Sequence, residues 1–103
     1  MNISVEQIRT KPRRIGRTAD GDEIYEMILK GGLVVVEVAN AKTGRRRTVG
    51  LGPHRALARH VAKTQEHGLE FLELSKSEAI GIEYWQHLIP ECLALLKRFR
   101  AIQ

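Results

Sequence analysis

Hydrophobic and polar residues alternate through the first half of the chain, which is the period of a β-strand. The alternation occurs in four segments, residues 13–18, 23–29, 33–39 and 45–51. Asp20-Gly21 and Gly31-Gly32 stand between the first three segments, and such glycine-containing pairs favour tight hairpin turns. A longer loop of turn-forming residues precedes the fourth segment. The pattern predicts an antiparallel meander of three or four strands.

Side-chain alternation also divides the predicted sheet into two faces. The predicted core face carries Tyr25, Met27 and Leu29, then Val34, Val36 and Val38, then Val49 and Leu51. The opposite face carries Glu26, Glu37, Arg46 and Thr48 beside Ile28 and Val35. Because this second set mixes charged and apolar residues, we predict that it forms a half-solvated surface.

The period becomes helical after Gly52-Pro53. Proline is favoured at the first position of a helix, and Gly68 stands where a C-terminal cap is expected. A helix is therefore predicted over residues 53–67, followed by a short strand over residues 69–74.

The last segment repeats its apolar residues at intervals of three and four, as an amphipathic helix does. Pro90 lies inside this pattern and predicts a bend, or a division into helices 78–89 and 90–102. We expect the segment 83–102 and the earlier helix to cover the same face of the sheet. The predicted fold class is α+β.

The start of the chain allows two interpretations. Ser4 and Gln7 have the spacing of a capping box, whereas Pro12 would end so short a helix. Residues 1–12 are predicted to form a helical turn or a flexible arm, attached to a single domain that spans residues 1–103.

Composition fits one small globular domain, with 103 residues, 43% hydrophobic and 28% charged. The longest apolar run, residues 33–36, is far shorter than the ~20 residues of a membrane span. The N-terminus shows no secretory pattern. Cys92 is the one cysteine, which excludes an intrachain disulfide and favours a reducing compartment. These features predict a cytoplasmic protein without a membrane partner.

The net charge of +5 is unevenly distributed. Thirteen of the 17 basic residues, but only six of the 12 acidic residues, lie within residues 1–63. Arg45-Arg46-Arg47 stands at the mouth of a predicted hairpin, and a second basic run spans residues 9–17. Guanidinium groups in such clusters pair with phosphates or with base edges. The asymmetry therefore indicates a polyanion-facing half and a half built for packing.

From these clusters we predict a small nucleic-acid-binding protein, with DNA favoured over RNA as the partner. The predicted phosphate contacts are Arg13, Arg14, Arg17, Arg45, Arg46, Arg47, Arg55 and Arg59. The triplet allows another interpretation, a solvated strand end in which Arg46 pairs across the sheet with Glu37 or Glu26.

The segment Arg45-Arg46-Arg47-Thr48-Val49-Gly50-Leu51-Gly52, followed by a helix containing Ala56-Leu57-Ala58-Arg59, resembles the N-terminal arm-type DNA-binding domain of phage-type integrases. The resemblance covers residues 23–67. It implies a three-stranded antiparallel sheet backed by one helix, with the sheet in the DNA major groove. It also implies that Arg45, Arg46 and Thr48 lie near the DNA.

The C-terminal apolar stripe supports an alternative function, a protein–protein interaction or homodimeric assembly module. In this hypothesis the stripe forms the interface and the basic charge serves solubility. The predicted interface residues are Trp85, Leu88, Leu95 and Phe99.

The sequence gives little indication of a catalytic site or a metal site. His54, His60 and His67 are six and seven residues apart, so they do not share a compact ligand face of a helix. No pair of carboxylates has the pattern of an acid and a base, and Cys92 is predicted to be a buried, inert thiol. We therefore predict no catalytic residue, no metal site and no cofactor.

Overall fold

The computed structural model describes residues 10–79 and 82–101, which form one five-stranded antiparallel sheet and four α-helices. The strands are β1 (Arg13–Thr18), β2 (Glu23–Ile28), β3 (Val34–Ala39), β4 (Arg46–Gly52) and β5 (Leu69–Phe71). The helices are α1 (Arg55–Gln65), α2 (Lys76–Ala79), α3 (Ile82–Trp85) and α4 (Ile89–Ala101), and a 3₁₀ turn, Gln86–Leu88, precedes α4. Most of the predicted N-terminal arm, residues 1–9, lies outside the described residues.

The sheet has the order β4-β3-β2-β1-β5 and is curled. The first four strands form the predicted meander, and β5 returns to pair with β1. The predicted α+β class is confirmed, as are the short strand after α1 and the bent C-terminal helix. The short strand ends at Phe71 rather than at residue 74.

The predicted assignment of side chains to faces is wrong for β2. It is also wrong for Leu51, because a register shift in the β3–β4 pair places Leu51 opposite Val35. The β2–β3 register pairs Tyr25 with Glu37, Met27 with Val35, and Glu26 with Val36. Directly paired residues share a face, so Met27 and Glu26 lie on the faces opposite to those expected. The β2–β3 turn fixes this register through the hydrogen bond from the Leu29 N–H to the Leu33 carbonyl oxygen, 2.9 Å.

Both faces of the sheet are buried, which corrects the prediction of one half-solvated face. The first cluster contains residues such as Ile24 and Val36, together with Ala58 and Ala62 of α1. Gly50 belongs to this face, and a Cβ there would collide with the carbonyl oxygen of Ala58. Glycine therefore permits the close approach of α1 to β4.

The second face is covered by α4, so the prediction that both helices cover the same face is also wrong. Met27, Val35 and Leu51 pack with Cys92 and Leu96 of α4 in a second cluster. Leu57 and Val61 of α1 also belong to this cluster, which joins the two helices. Each apolar face of the sheet must pack against another element, and α4 packs on the second face.

Pro53 and Pro90 mark helix starts. The N-cap of α1 is His54, one residue after Pro53, and its ring Nδ1 accepts a hydrogen bond from the Leu57 N–H. Pro90 stands in the first turn of α4, where its missing N–H costs no helical hydrogen bond. The predicted division at Pro90 is confirmed, although the segment before it consists of short helical turns.

Candidate nucleic-acid interface

The eight arginines predicted to contact phosphates do not form one surface. Arg13, Arg55 and Arg59 converge on Glu26 and Glu78, and we call these five residues the inner ion cluster. Arg45, Arg46 and Arg47 lie at the other end of the sheet, beside the β3–β4 hairpin. Arg14 and Arg17 lie on β1 between the two.

The inner ion cluster is centred on a carboxylate under α1. Glu26 is only 2% exposed. Its Oε1 lies 2.9 Å from Nη2 of Arg13 and 3.0 Å from Nε of Arg55, and its Oε2 lies 3.7 Å from Nε of Arg59. A buried carboxylate needs such partners because burial removes its hydration.

The same arginines also hold the segment after β5. Glu78 of α2 pairs with Arg55 and lies 3.7 Å from Nη2 of Arg13. Nη1 of Arg59 donates a 2.6 Å hydrogen bond to the carbonyl oxygen of Leu72. Burial lowers the pKa of the Arg59 guanidinium, and the charge of Glu26 opposes this effect. We infer that these ion pairs stabilise the fold, and that Arg59, which is 6% exposed, does not face solvent phosphates. The side chain of Arg13 remains half exposed.

The β3–β4 hairpin presents its basic residues on an ordered loop. Oδ1 of Asn40 accepts hydrogen bonds from the N–H groups of Lys42 and Thr43, both 2.9 Å. The Asn40 N–H donates to the carbonyl oxygen of Arg45, 2.8 Å, and closes the hairpin. Lys42 and Arg45 are exposed at this closed tip, and the structure gives neither side chain a carboxylate partner among the described residues.

Arg46 and Arg47 each have a carboxylate beside them. Arg46 lies 3.8 Å from Glu37, and its guanidinium lies 5.3 Å from the ring centroid of Tyr25. This contact confirms the predicted cross-sheet pairing of Arg46 with Glu37. Glu26, the other candidate, lies on the opposite face. Burial raises the pKa of Glu37, and the charge of Arg46 opposes this.

Arg47 makes a two-pronged contact with the end of α1. Its Nε and Nη2 each lie 2.8 Å from a carboxylate oxygen of Glu66. These hydrogen bonds lower the pKa of Glu66 and raise that of Arg47. Both side chains are partly exposed, so the pair is accessible to solvent and to salt.

The last turn of α4 adds basic residues that were not predicted for this surface. Nε of Arg100 donates a 2.7 Å hydrogen bond to the carbonyl oxygen of Thr48, directly after Arg47 in β4. Lys97 and Arg98, both exposed, precede Arg100 in α4. These basic residues were not identified from the sequence, because only the total charge of the C-terminal part of the chain was considered. The available signal was basic residues in a last helical turn, where the helix dipole favours cations.

Together these residues form what we call the basic end. Its cationic side chains are Lys42, Arg45, Arg46, Arg47, Lys97, Arg98 and Arg100. Within the described part of the chain, Glu37 and Glu66 are the carboxylates that contact these side chains. The charge of Asp22 also raises the pKa of Arg47. Cationic side chains therefore outnumber the carboxylates that contact them, which makes the surface suitable for a polyanion.

Arg14 and Arg17 stand among carboxylates on β1. The side chain of Arg14 donates to Glu23. Arg17 is exposed and is paired in the ladders with Glu23 on β2 and Glu70 on β5. Each of these arginines therefore has a carboxylate beside it.

The resemblance to integrase arm domains places the sheet face of Arg46 and Thr48 against DNA. Thr48 is fully buried in this structure, and α4 packs on the same face. The implied contact of Thr48 with DNA is therefore wrong for this arrangement, while Arg45 and Arg46 remain exposed.

The predicted interface residues pack within the chain. Trp85, Leu88, Leu95 and Phe99 are partly buried against the second core cluster. The ring of Trp85 meets that of His54 edge-on, with the centroids 5.8 Å apart. Homodimer formation through this stripe stays a prediction.

In the described part of the chain, no group of three or more His, Cys, Asp or Glu residues could hold a metal ion. Cys92 is buried as predicted, and burial raises the pKa of its thiol, so the reactive thiolate is disfavoured.

Within residues 10–79 and 82–101, no helix has the length and apolar character needed to cross a membrane. The comparisons with protein families, curated proteins and solved structures found no match to this chain.

Proposed function

We propose that the chain is a small nucleic-acid-binding protein that contacts the phosphates of duplex DNA through the basic end. The observation that carries this proposal is the hydrogen bond from Arg100 to the Thr48 carbonyl oxygen. It joins the last turn of α4 to β4, so that basic residues distant in sequence share one surface.

The charge and exposure of this surface support phosphate contacts rather than sequence readout. Lys42, Arg45, Lys97 and Arg98 are exposed, and none has a carboxylate partner among the residues that the structure describes. Lysine and arginine side chains of this kind neutralise phosphates and release counterions. Arg13, Arg55 and Arg59 are excluded from the proposed surface because they pair with Glu26 or Glu78.

Fluorescence anisotropy with a labelled random-sequence duplex tests the proposal over a series of salt concentrations. We expect binding at low salt that weakens steeply as salt is added. In the double variant Arg45→Ala Arg98→Ala, the logarithmic salt slope is expected to fall by about 0.9 for each phosphate that the variant no longer neutralises. Labelled single-stranded DNA and a labelled RNA hairpin are titrated in the same way, so that their affinities can be compared with that of the duplex.

Lys30→Ala is the matched control, since Lys30 is exposed in the β2–β3 turn, at the opposite end of the sheet. It removes one charge without touching the basic end and should leave the salt slope unchanged. Absence of duplex binding at low salt would contradict the proposal, as would a double variant that binds like the parent protein. Tighter binding of RNA than of duplex DNA would overturn the choice of ligand.

A further inference from the structure

A narrow cleft of about 250 Å³ lies between α1 and the segment that begins with β5. One wall consists of residues 71–74, and Ile82 of α3 lies at the margin. The opposite wall is formed by α1 side chains, namely Ala56, Arg59, His60 and Lys63. This cleft is distinct from the basic end, with which it shares no residue.

The strand beside the cleft is an edge of the sheet. β5 pairs with β1 alone, and no other strand of the described chain follows it in the sheet order. The Leu72 N–H donates to Ile15, 2.7 Å, and the Gly68 carbonyl oxygen accepts from Ala19, 2.8 Å. Since strand residues alternate in direction, the N–H and carbonyl groups of Leu69 and Phe71 point away from β1.

The two edges of the sheet differ in how they are covered. On β4, Arg100 donates to the carbonyl oxygen of Thr48, and Arg47 is tied to Glu66 of α1. On β5, the structure shows no comparable cover for the outward backbone groups of Leu69 and Phe71 among the described residues. An uncovered row of N–H and carbonyl groups is a template for an added strand.

The helix wall of the cleft is cationic. The segment Arg55–Gln65 contains no acidic residue. Nζ of Lys63 lies 5.6 Å from the ring centroid of Phe71, and Lys63 is exposed with no carboxylate partner among the described residues. His60 also lines this wall, whereas Glu73 is the one carboxylate among the lining residues.

We propose that the β5 edge and the α1 wall together bind an extended acidic peptide segment of a partner protein. The peptide backbone would pair with the outward groups of Leu69 and Phe71, as in recognition by strand addition. Its side chains point alternately to either side, so acidic residues at alternate positions would reach Lys63 and His60. Leu72, which is 55% exposed, provides apolar contact beside the same edge.

The test uses a pool of short labelled peptides with glutamate fixed at alternate positions and Val, Ile, Thr or Phe between them. Nuclear magnetic resonance titration of the isotope-labelled full chain reports the site. We expect the largest amide shifts at Leu69 and Phe71, with smaller shifts along α1. Anisotropy should show that Lys63→Ala weakens binding about fivefold, the size expected for one exposed charge contact.

Two controls separate strand addition from general attraction of acidic peptides. A pool N-methylated at its alternate backbone amides keeps the side chains but loses the hydrogen bonds, and it should not bind. Lys76→Ala removes an equally exposed charge from α2, outside the residues that line the cleft, and should leave the affinity unchanged.

Three results would overturn the inference: no binding of the pool, equal binding of the N-methylated pool, or amide shifts confined to the hairpin residues 40–47. The variant Arg45→Ala Arg98→Ala should retain peptide binding, because those residues do not line the cleft. Failure of DNA binding and failure of peptide binding are thereby distinguished.

Discussion

The inner ion cluster and the basic end are both rich in arginine, yet their charges are arranged in opposite ways. In the cluster, three guanidinium groups surround a carboxylate that is 2% exposed, and a second carboxylate, Glu78, joins them. At the basic end, cationic groups outnumber the carboxylates that contact them, and most of these cationic groups are exposed.

A comparison of Arg59 with Arg45 shows which property decides whether an arginine supports the fold or is available to a ligand. Arg59 is 6% exposed, so its charge must be compensated inside the protein. Arg45 is exposed and hydrated, so it can exchange water and counterions for a phosphate. Residue type is the same in both cases, and burial decides between support of the fold and availability to a ligand.

The largest expected effect comes from removing the central carboxylate in Glu26→Gln. Breaking a buried ion pair leaves an uncompensated charge, which costs about 3–5 kcal/mol of unfolding free energy. Urea denaturation followed by circular dichroism would measure the loss. Duplex affinity, measured where the variant is folded, should not change, because Glu26 lies outside the basic end.

Glu70→Gln provides the matched control, since Glu70 is exposed on β5. The same chemical change there should shift the unfolding free energy by no more than about 0.5 kcal/mol. A loss below about 1 kcal/mol in Glu26→Gln would show that the inner ion cluster does not support the fold.

A paired replacement sharpens the same point. In Glu26→Leu Arg59→Met, a buried carboxylate and its most buried arginine are replaced together by apolar side chains. Replacing a buried ion pair by apolar side chains is often neutral or stabilising. Here the double variant also loses the hydrogen bond from Arg59 to the Leu72 carbonyl oxygen, which lowers its stability. We expect the double variant to be more stable than Glu26→Leu by about 1–2 kcal/mol. Strict additivity of the two single changes in a double-mutant cycle would contradict the coupling.

The course of the backbone was largely predictable from sequence. Alternation located β1 to β4 within one residue at each end, and Pro53 located the start of α1 within two residues. The faces of β2 were not predictable because Met27 and Glu26 stand next to each other and both strand faces are buried. When neither face is polar, alternation cannot say which side chain points to which helix.

The candidate site was predictable only in its hairpin part. Arg45 and Arg46 were identified from the basic triplet, and the structure leaves both exposed. Arg55 and Arg59 were predicted to contact phosphates, but both pair with Glu26, a buried carboxylate of β2. Arg100 joins the surface through its contact with Thr48, 52 positions away in the sequence, which no local pattern contains.

His54 lies outside both arginine regions and shows how burial affects a titratable group that has no compensating charge. His54 accepts the Leu57 N–H through Nδ1, its Nε2 is buried without a hydrogen-bond partner among the described residues, and burial lowers its pKa from 6.5. The neutral ring is therefore favoured in the folded state. Its contribution to stability is complete above pH 6.5 and is lost as the pH falls through the lower folded-state pKa.

Protonation would remove the α1 cap, an interaction that contributes about 1 kcal/mol in other helices. Unfolding free energies should therefore decrease by about that amount as the pH is lowered from about 7.5 to below the folded-state pKa of His54. In His54→Asn, which retains a capping oxygen without titrating, the decrease should be absent. An identical pH profile in parent and variant would assign the titration to other groups.

The smallest effect is expected for Glu66→Gln, the counterpart of Glu26→Gln at the basic end. The Arg47–Glu66 pair is partly exposed, and exposed pairs contribute about 0.5 kcal/mol. The change removes a carboxylate beside Arg47 and Arg100, so the affinity for duplex DNA should rise by about twofold to threefold. Anisotropy and urea denaturation of the same preparation measure both quantities. A loss of several kcal/mol, or weaker DNA binding, would mean that this carboxylate has the supporting role of Glu26 and that exposure does not separate the two regions.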